Sequence, residues 1–125
     1  MPNDPKKALI GIVGVCASGK TTLKNGLSEL GFNCRHIAQE HSYVPDMWKR
    51  LTHPDILIYL EASFETTITR KALNWTREEY EQQLYRMRNA IENAHIRIKT
   101  DELTPQQLIE KVIQEIDLFV RNDVE

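Results

Sequence analysis

Residues 14 to 21 read Gly14-Val15-Cys16-Ala17-Ser18-Gly19-Lys20-Thr21, with two glycines, a lysine and a threonine at the spacing G-x-x-x-x-G-K-T. That spacing suits the holding of phosphate by backbone amides. Gly14 and Gly19 permit conformations that a side chain forbids and let N–H groups come close to phosphate oxygens. The first turn of the helix expected next adds unpaired N–H groups and the positive end of its dipole. Lys20 brings a mobile positive charge for the β- and γ-phosphates, Thr21 a hydroxyl that ligates Mg²⁺, and Thr22 a second hydroxyl toward the α-phosphate. The expected binding set is Gly14, Val15, Cys16, Ala17, Ser18, Gly19, Lys20, Thr21 and Thr22, and the expected ligand is a nucleoside triphosphate with Mg²⁺.

Such a loop works only at a junction between strand and helix, and the flanking residues provide one. Ala8-Leu9-Ile10-Gly11-Ile12-Val13 is apolar throughout, as a central parallel strand buried on both faces must be. After the loop, Leu23, Leu27 and Leu30 recur at helical spacing, and Gly31 stands where a helix C-terminal glycine belongs. Cys34 to Ala38 reads as a short strand, Pro45 to Leu51 as at most a short helix, and Ile56-Leu57-Ile58-Tyr59-Leu60 as a second buried strand. Ser63 is placed to cap a helix running to about Leu73. Thr76-Arg77-Glu78-Glu79 is a capping box opening one long helix with the apolar stripe Tyr80, Leu84, Met87, Ile91 and Ala94. Ile96-Arg97-Ile98-Lys99 alternates as a half-exposed strand does. Thr104-Pro105-Gln106-Gln107 opens the last helix, with proline at its first position. The pattern implies one domain over residues 1–125, a three-layer α/β/α arrangement around a small, mostly parallel sheet of about four strands.

The 125 residues carry a net charge of −2, with a pI near 6.1, which gives no general electrostatic reason to bind nucleic acid or acidic membrane. No apolar run reaches membrane-spanning length, and the first residues lack a signal peptide's apolar segment, so the expected location is cytoplasmic. Cys16 and Cys34 show neither paired spacing nor a Cys/His pattern along the chain, and neither zinc nor a disulfide is expected. Its place inside a cationic loop makes Cys16 a candidate reactive thiol.

On these residues the chain resembles the P-loop NTPases. Pro54-Asp55-Ile56-Leu57-Ile58-Tyr59-Leu60-Glu61-Ala62-Ser63 is similar to the corresponding strand and helix start of thymidylate and deoxynucleoside kinases. Arg70-Lys71 followed by Arg77-Glu78-Glu79-Tyr80 resembles their arginine-rich lid, and His95 to Pro105 their final strand and helix entry. The resemblance implies a P-loop NTPase fold, ATP with Mg²⁺, and transfer of the γ-phosphoryl group to a small-molecule acceptor. GTP stays open, although no Asn-Lys-x-Asp guanine motif is present. Only about twenty residues, 32 to 53, separate the first helix from the Pro-Asp strand, short of a full βαβ unit. At least one strand of the larger kinases is therefore missing.

Gln39-Glu40-His41-Ser42 resembles the Glu-Arg-Ser motif of deoxynucleoside kinases, with histidine replacing arginine. If Arg35 to Ala38 lies beside the phosphate-loop strand, its carboxyl end delivers Glu40 to the γ-phosphate as a Mg²⁺ element or general base. Glu61 competes for that role. His41 is a candidate contact for phosphate or acceptor, Asp46 and Trp48 for an acceptor wall, and Trp75 for stacking on adenine. The resemblance makes Arg70 the first choice for a catalytic lid arginine, ahead of Arg77 and Lys71, because a guanidinium over the transferring group lowers its barrier. Arg86 and Arg88 are expected to face solvent. Three classes stay open: a small-molecule kinase, which the resemblance favours, a slow NTPase with water as acceptor, and a nucleotide-binding module acting through a partner. Exposed sheet edges also leave room for a homodimer.

Overall fold

The computed structural model describes residues 4–71 and 74–124. Four strands, β1 (Leu9–Gly14), β2 (Asn33–His36), β3 (Ile56–Glu61) and β4 (Ile96–Lys99), form one sheet in the order β2-β1-β3-β4. Every neighbouring pair is parallel, with Ile12 opposite both His36 and Ile58, and Leu60 opposite Ile98. The Pro-Asp pair before β3 fixes this register from the start of the strand. The Asp55 carboxylate accepts the Leu9 N–H at 2.8 Å while the Asp55 N–H donates to the Leu9 carbonyl at 2.8 Å.

Strand alternation sorts the core into two clusters. On one face Ile10, Ile12, Ile56, Ile58, Leu60, Ile96 and Ile98 pack with Leu23 and Leu27 of α1 (Lys20–Glu29) and with Leu108, Val112, Ile116 and Val120 of α6 (Pro105–Val124). On the other, Val13, Leu57 and Tyr59 meet Trp48 of α2 (Met47–Thr52) and the segment from Trp75 to Ala94. Helices thus cover both faces of an α/β parallel sheet, as near-continuous apolar strands require. No helix among the described residues is long and apolar enough to cross a membrane.

The expected caps form. Thr76 and Glu79 exchange hydrogen bonds as a full capping box, and Thr104 and Gln107 do the same at α6. At the end of α1 the Gly31 and Phe32 N–H groups donate to the Ser28 and Leu27 carbonyls, with Gly31 at φ 91°, a Schellman ending. The Ser63 hydroxyl accepts the Thr66 N–H at 3.2 Å at the entry to α3 (Phe64–Lys71), and the expected end of that helix near Leu73 lies outside the described residues.

One expectation is corrected: the long helix is two, α4 (Arg77–Arg86) and α5 (Arg88–Asn93), joined at Met87. The Met87 N–H is shared between the Gln83 and Leu84 carbonyls at 3.1 Å each, and its ψ of 1° leaves the helical range. Met87 and Ala90 are both fully buried, so the bend serves packing against Leu57 and Tyr59. A helix read from its apolar spacing gives no sign of such a joint.

His95 links this layer to the sheet. Its Nδ1 accepts the Leu57 N–H at 2.8 Å, and burial holds the imidazole below its ordinary pKa. The unfolded chain takes up a proton near the ordinary value of about 6.5, while the folded chain resists. Stability from this group is therefore full above that value and is lost as the pH falls below it. Urea unfolding at about pH 7.5 and about pH 5.5 should show the native chain losing more stability than His95→Gln, which keeps an acceptor without titrating. Equal losses would show that His95 does not set this dependence.

Candidate functional site

The loop between β1 and α1 is bent as its two glycines require. A Cβ at Gly14 would lie 2.4 Å from Ser18 Oγ and 2.9 Å from the Leu60 carbonyl oxygen, and Gly19, the N-cap of α1, has φ 110°. Ala17 is also left-handed at φ 66°, a conformation that persists in a non-glycine residue only where the surroundings enforce it. No side chain caps α1, so its first N–H groups point into the loop without intrahelical partners. Free N–H groups at the positive end of a helix dipole are a general acceptor of anions.

Three side chains hold the loop from outside, and the roles of the first two are not legible in the sequence. Gln83 of α4 accepts the Cys16 N–H at 3.0 Å and donates from its amide to Cys16 Sγ at 3.2 Å. Thr100, after β4, donates its hydroxyl to the Ser18 carbonyl at 2.9 Å. Arg70 reinforces that second contact: its Nη1 donates to the Ala17 and Ser18 carbonyls at 3.2 Å each and to Thr100 Oγ1 at 3.0 Å, and its Nη2 donates to the Thr100 carbonyl. The expected lid arginine thus lies at the wall of the site, tied to the loop's own strained carbonyls.

Glu40 arrives as the β1–β2 pairing implies. The turn Gln39–His41 follows β2, and the fully buried Gln39 pins it by donating to the Val44 and Arg86 carbonyls at 2.9 and 3.1 Å and accepting the Trp48 N–H at 2.8 Å. Arg86 adds a bond from Nη1 to the Glu40 carbonyl at 3.3 Å while its guanidinium lies over the Tyr43 ring. This corrects its expected role as a solvent-facing charge, because the turn after β2 folds back over the end of α4. Arg88 is exposed and lies over Tyr85.

Lys20 Nζ lies 2.6 Å from Glu40 Oε2 and also donates to the Gly14 and Val15 carbonyls at 2.5 and 3.2 Å. All three donors of the ammonium are used. The pair is nearly buried, at 10% exposure for the Lys20 side chain and 5% for that of Glu40. Among the described residues, the buried side-chain polar atoms without a hydrogen-bond partner are Ser18 Oγ and Glu40 Oε1, and both belong to this site. Orphaned polar atoms of this kind are rare in folded chains and call for a partner such as water, an ion or a ligand.

A cavity of about 470 Å³ gathers the loop from Cys16 to Thr22 with Glu40, His41 and Arg70. Beyond Arg70 a smaller one, about 250 Å³, has apolar walls of Leu103, Pro105 and Leu108 and shares Ser18, Gly19 and Thr22. A separate groove of about 640 Å³ is lined by residues that start one position past His41, among them Ser42, Tyr43, Glu78, Glu81 and Tyr85.

Other expected site residues lie elsewhere. Asp46 is paired with Arg50 on the surface at 2.8 Å, and Trp48 is a core residue whose indole N–H donates to Asn89, so neither walls the cavity. Both are occupied in fixing α2. Glu61 approaches Lys99 at 3.9 Å and Arg77 pairs with Glu65 at 2.8 Å, both outside the cavity lining. Trp75 donates to Thr67 Oγ1 and meets Tyr80 edge-on, which is packing. The side chain of Lys71 lies outside the described residues. No protein-family model matches this chain, and a search of curated proteins finds no matching relative.

Proposed function

We propose that this chain binds a nucleoside triphosphate in the Gly14–Thr22 loop and transfers its γ-phosphoryl group to a small-molecule acceptor, as a kinase of the P-loop NTPase fold. The observation that carries the reading is the pairing of Lys20 with Glu40 inside an amide-lined concavity that also holds two orphaned polar atoms. Loop amides and the α1 N-terminus receive the phosphates, with the Ser18 hydroxyl free to donate. Lys20 exchanges Glu40 for phosphate oxygens, and the released carboxylate is left facing the transferring group. There Glu40 serves as base for the acceptor hydroxyl.

The Thr21 hydroxyl and Glu40 are the residues that would hold Mg²⁺, which neutralises charge on the β- and γ-oxygens. Arg70 keeps the loop's carbonyls turned away from the phosphates, which would otherwise meet repelling oxygens. The apolar cavity of Leu103, Pro105 and Leu108 suits a nucleobase, and ATP is the proposed nucleotide with GTP as the alternative. The acceptor enters from the groove of Tyr43 and Tyr85, whose lining starts at Ser42, next in sequence to His41.

Calorimetric titration with ATP, ADP and GTP, each with and without Mg²⁺, tests the first half of this reading. Mg²⁺-sensitive binding of a triphosphate is expected. Binding of none of them at millimolar concentration would overturn it. Phosphate release that no acceptor accelerates would instead make water the acceptor.

A further inference from the structure

The sequence shows no metal-ligand spacing around either cysteine, yet the fold brings Cys16 beside residues 40 and 41. Cys16 Sγ lies 3.8 Å from His41 Nε2, and His41 Nε2 lies 3.9 Å from Glu40 Oε2. The three donor atoms of Cys16, Glu40 and His41 fall within 4.8 Å of one another. We propose that these three side chains form a binding site for a borderline transition cation of the Zn²⁺ class.

A tetrahedral Zn²⁺ at about 2.3 Å from sulfur and about 2.1 Å from nitrogen sets an S···N separation of about 3.6 Å and an N···O separation of about 3.4 Å. The observed separations exceed these by a few tenths of an ångström, within the reach of side-chain rotation. The Glu40 carboxylate supplies the independent sign of a ligand, because Oε1 is buried without a partner while Oε2 is held by Lys20. A cation bound across the carboxylate, on the Oε2 that faces His41 and on Oε1, would give the orphaned oxygen a partner. The donor set also selects the metal: Mg²⁺ takes oxygen ligands in octahedral geometry, whereas sulfur and imidazole nitrogen favour Zn²⁺, Co²⁺ and their neighbours.

The ligands are held from behind, as a metal site requires. Gln83 grips Cys16 through both its N–H and its sulfur, and Arg86 and Gln39 fix the turn carrying Glu40 and His41. Three protein ligands leave a fourth position toward the cavity for water or an anion. The site needs no nucleotide and stands whether or not the chain is a kinase.

The test is Co²⁺ and Zn²⁺ titration of the intact reduced chain in the absence of nucleotide. One equivalent of Co²⁺ should produce the near-ultraviolet thiolate-to-cobalt absorption band, and Zn²⁺ should displace it. Cys16→Ala should abolish the band. His41→Ala changes an exposed side chain and leaves the core alone, and it should weaken binding by more than the roughly 10- to 100-fold typical of outer-shell changes. Cys34→Ala, which removes the buried second thiol, should leave the band in place. Absence of a thiolate band in the native chain, its survival in Cys16→Ala, or its loss in Cys34→Ala would each overturn the proposal.

Discussion

Lys20→Ala should weaken MgATP binding by at least about 10- to 100-fold, the loss of one charge-assisted hydrogen bond to phosphate, and it should also destabilise the fold. The loop motif explains only the first effect. The second follows from Glu40, whose Oε2 would lose its 2.6 Å partner while Oε1 already has none. Stripping one member from a buried ion pair costs about 3–5 kcal/mol, because the charge left behind has neither water nor a partner. The double variant Lys20→Ala/Glu40→Gln should therefore recover most of the lost stability without recovering nucleotide binding. Urea unfolding of both variants reads the first quantity and calorimetry the second. Unchanged nucleotide affinity in Lys20→Ala would end the phosphate-loop reading, and additive stabilities in the double variant would show that the pair is not coupled.

Glu40→Gln should separate binding from chemistry. The amide keeps the shape of the side chain and offers Lys20 an acceptor oxygen but no charge. Nucleotide affinity should change far less than turnover, since the phosphates gain an ammonium with no carboxylate competing for it while Mg²⁺ loses a charged ligand. Turnover should fall by about 10²- to 10⁴-fold, the usual contribution of a positioned base. Measuring kcat beside the dissociation constant for MgATP distinguishes this from general damage, which would depress both. A Glu40→Gln chain with native turnover would remove Glu40 from the chemistry and leave it as the lysine's resting partner.

What could be read in one dimension is what local chemistry dictates. The loop and its strand and helix, the capping boxes at Thr76 and Thr104, and the parallel pairing of β2 with β1 all follow from residue type and short spacing. The position of Glu40 was legible because strand pairing carries the end of β2 to the loop after β1. Gln83, Thr100 and Arg86 were not, because each acts on a partner 46 to 82 residues away through polar contacts that leave no periodic trace. The cluster of Cys16 with His41 escaped for the same reason. Trp48 could be read as a pocket wall or as packing, because an aromatic beside a polar segment reads alike in either role, and the structure places it in the core. The joint at Met87 was hidden by an apolar spacing that continues unbroken across it.

The anchoring of Trp48 gives the chain a built-in optical reporter. Its backbone N–H is bonded to Gln39, the neighbour of Glu40, and its indole N–H to Asn89 beyond the α4–α5 joint. Any ligand that draws Glu40 off Lys20 pulls on the turn that the Trp48 backbone braces. Trp75, the second tryptophan, is bonded to Thr67 on the helix that carries Arg70. Intrinsic emission therefore samples both flanks of the cavity, and single-tryptophan variants at the two positions would resolve in time which flank responds first, with no dye attached.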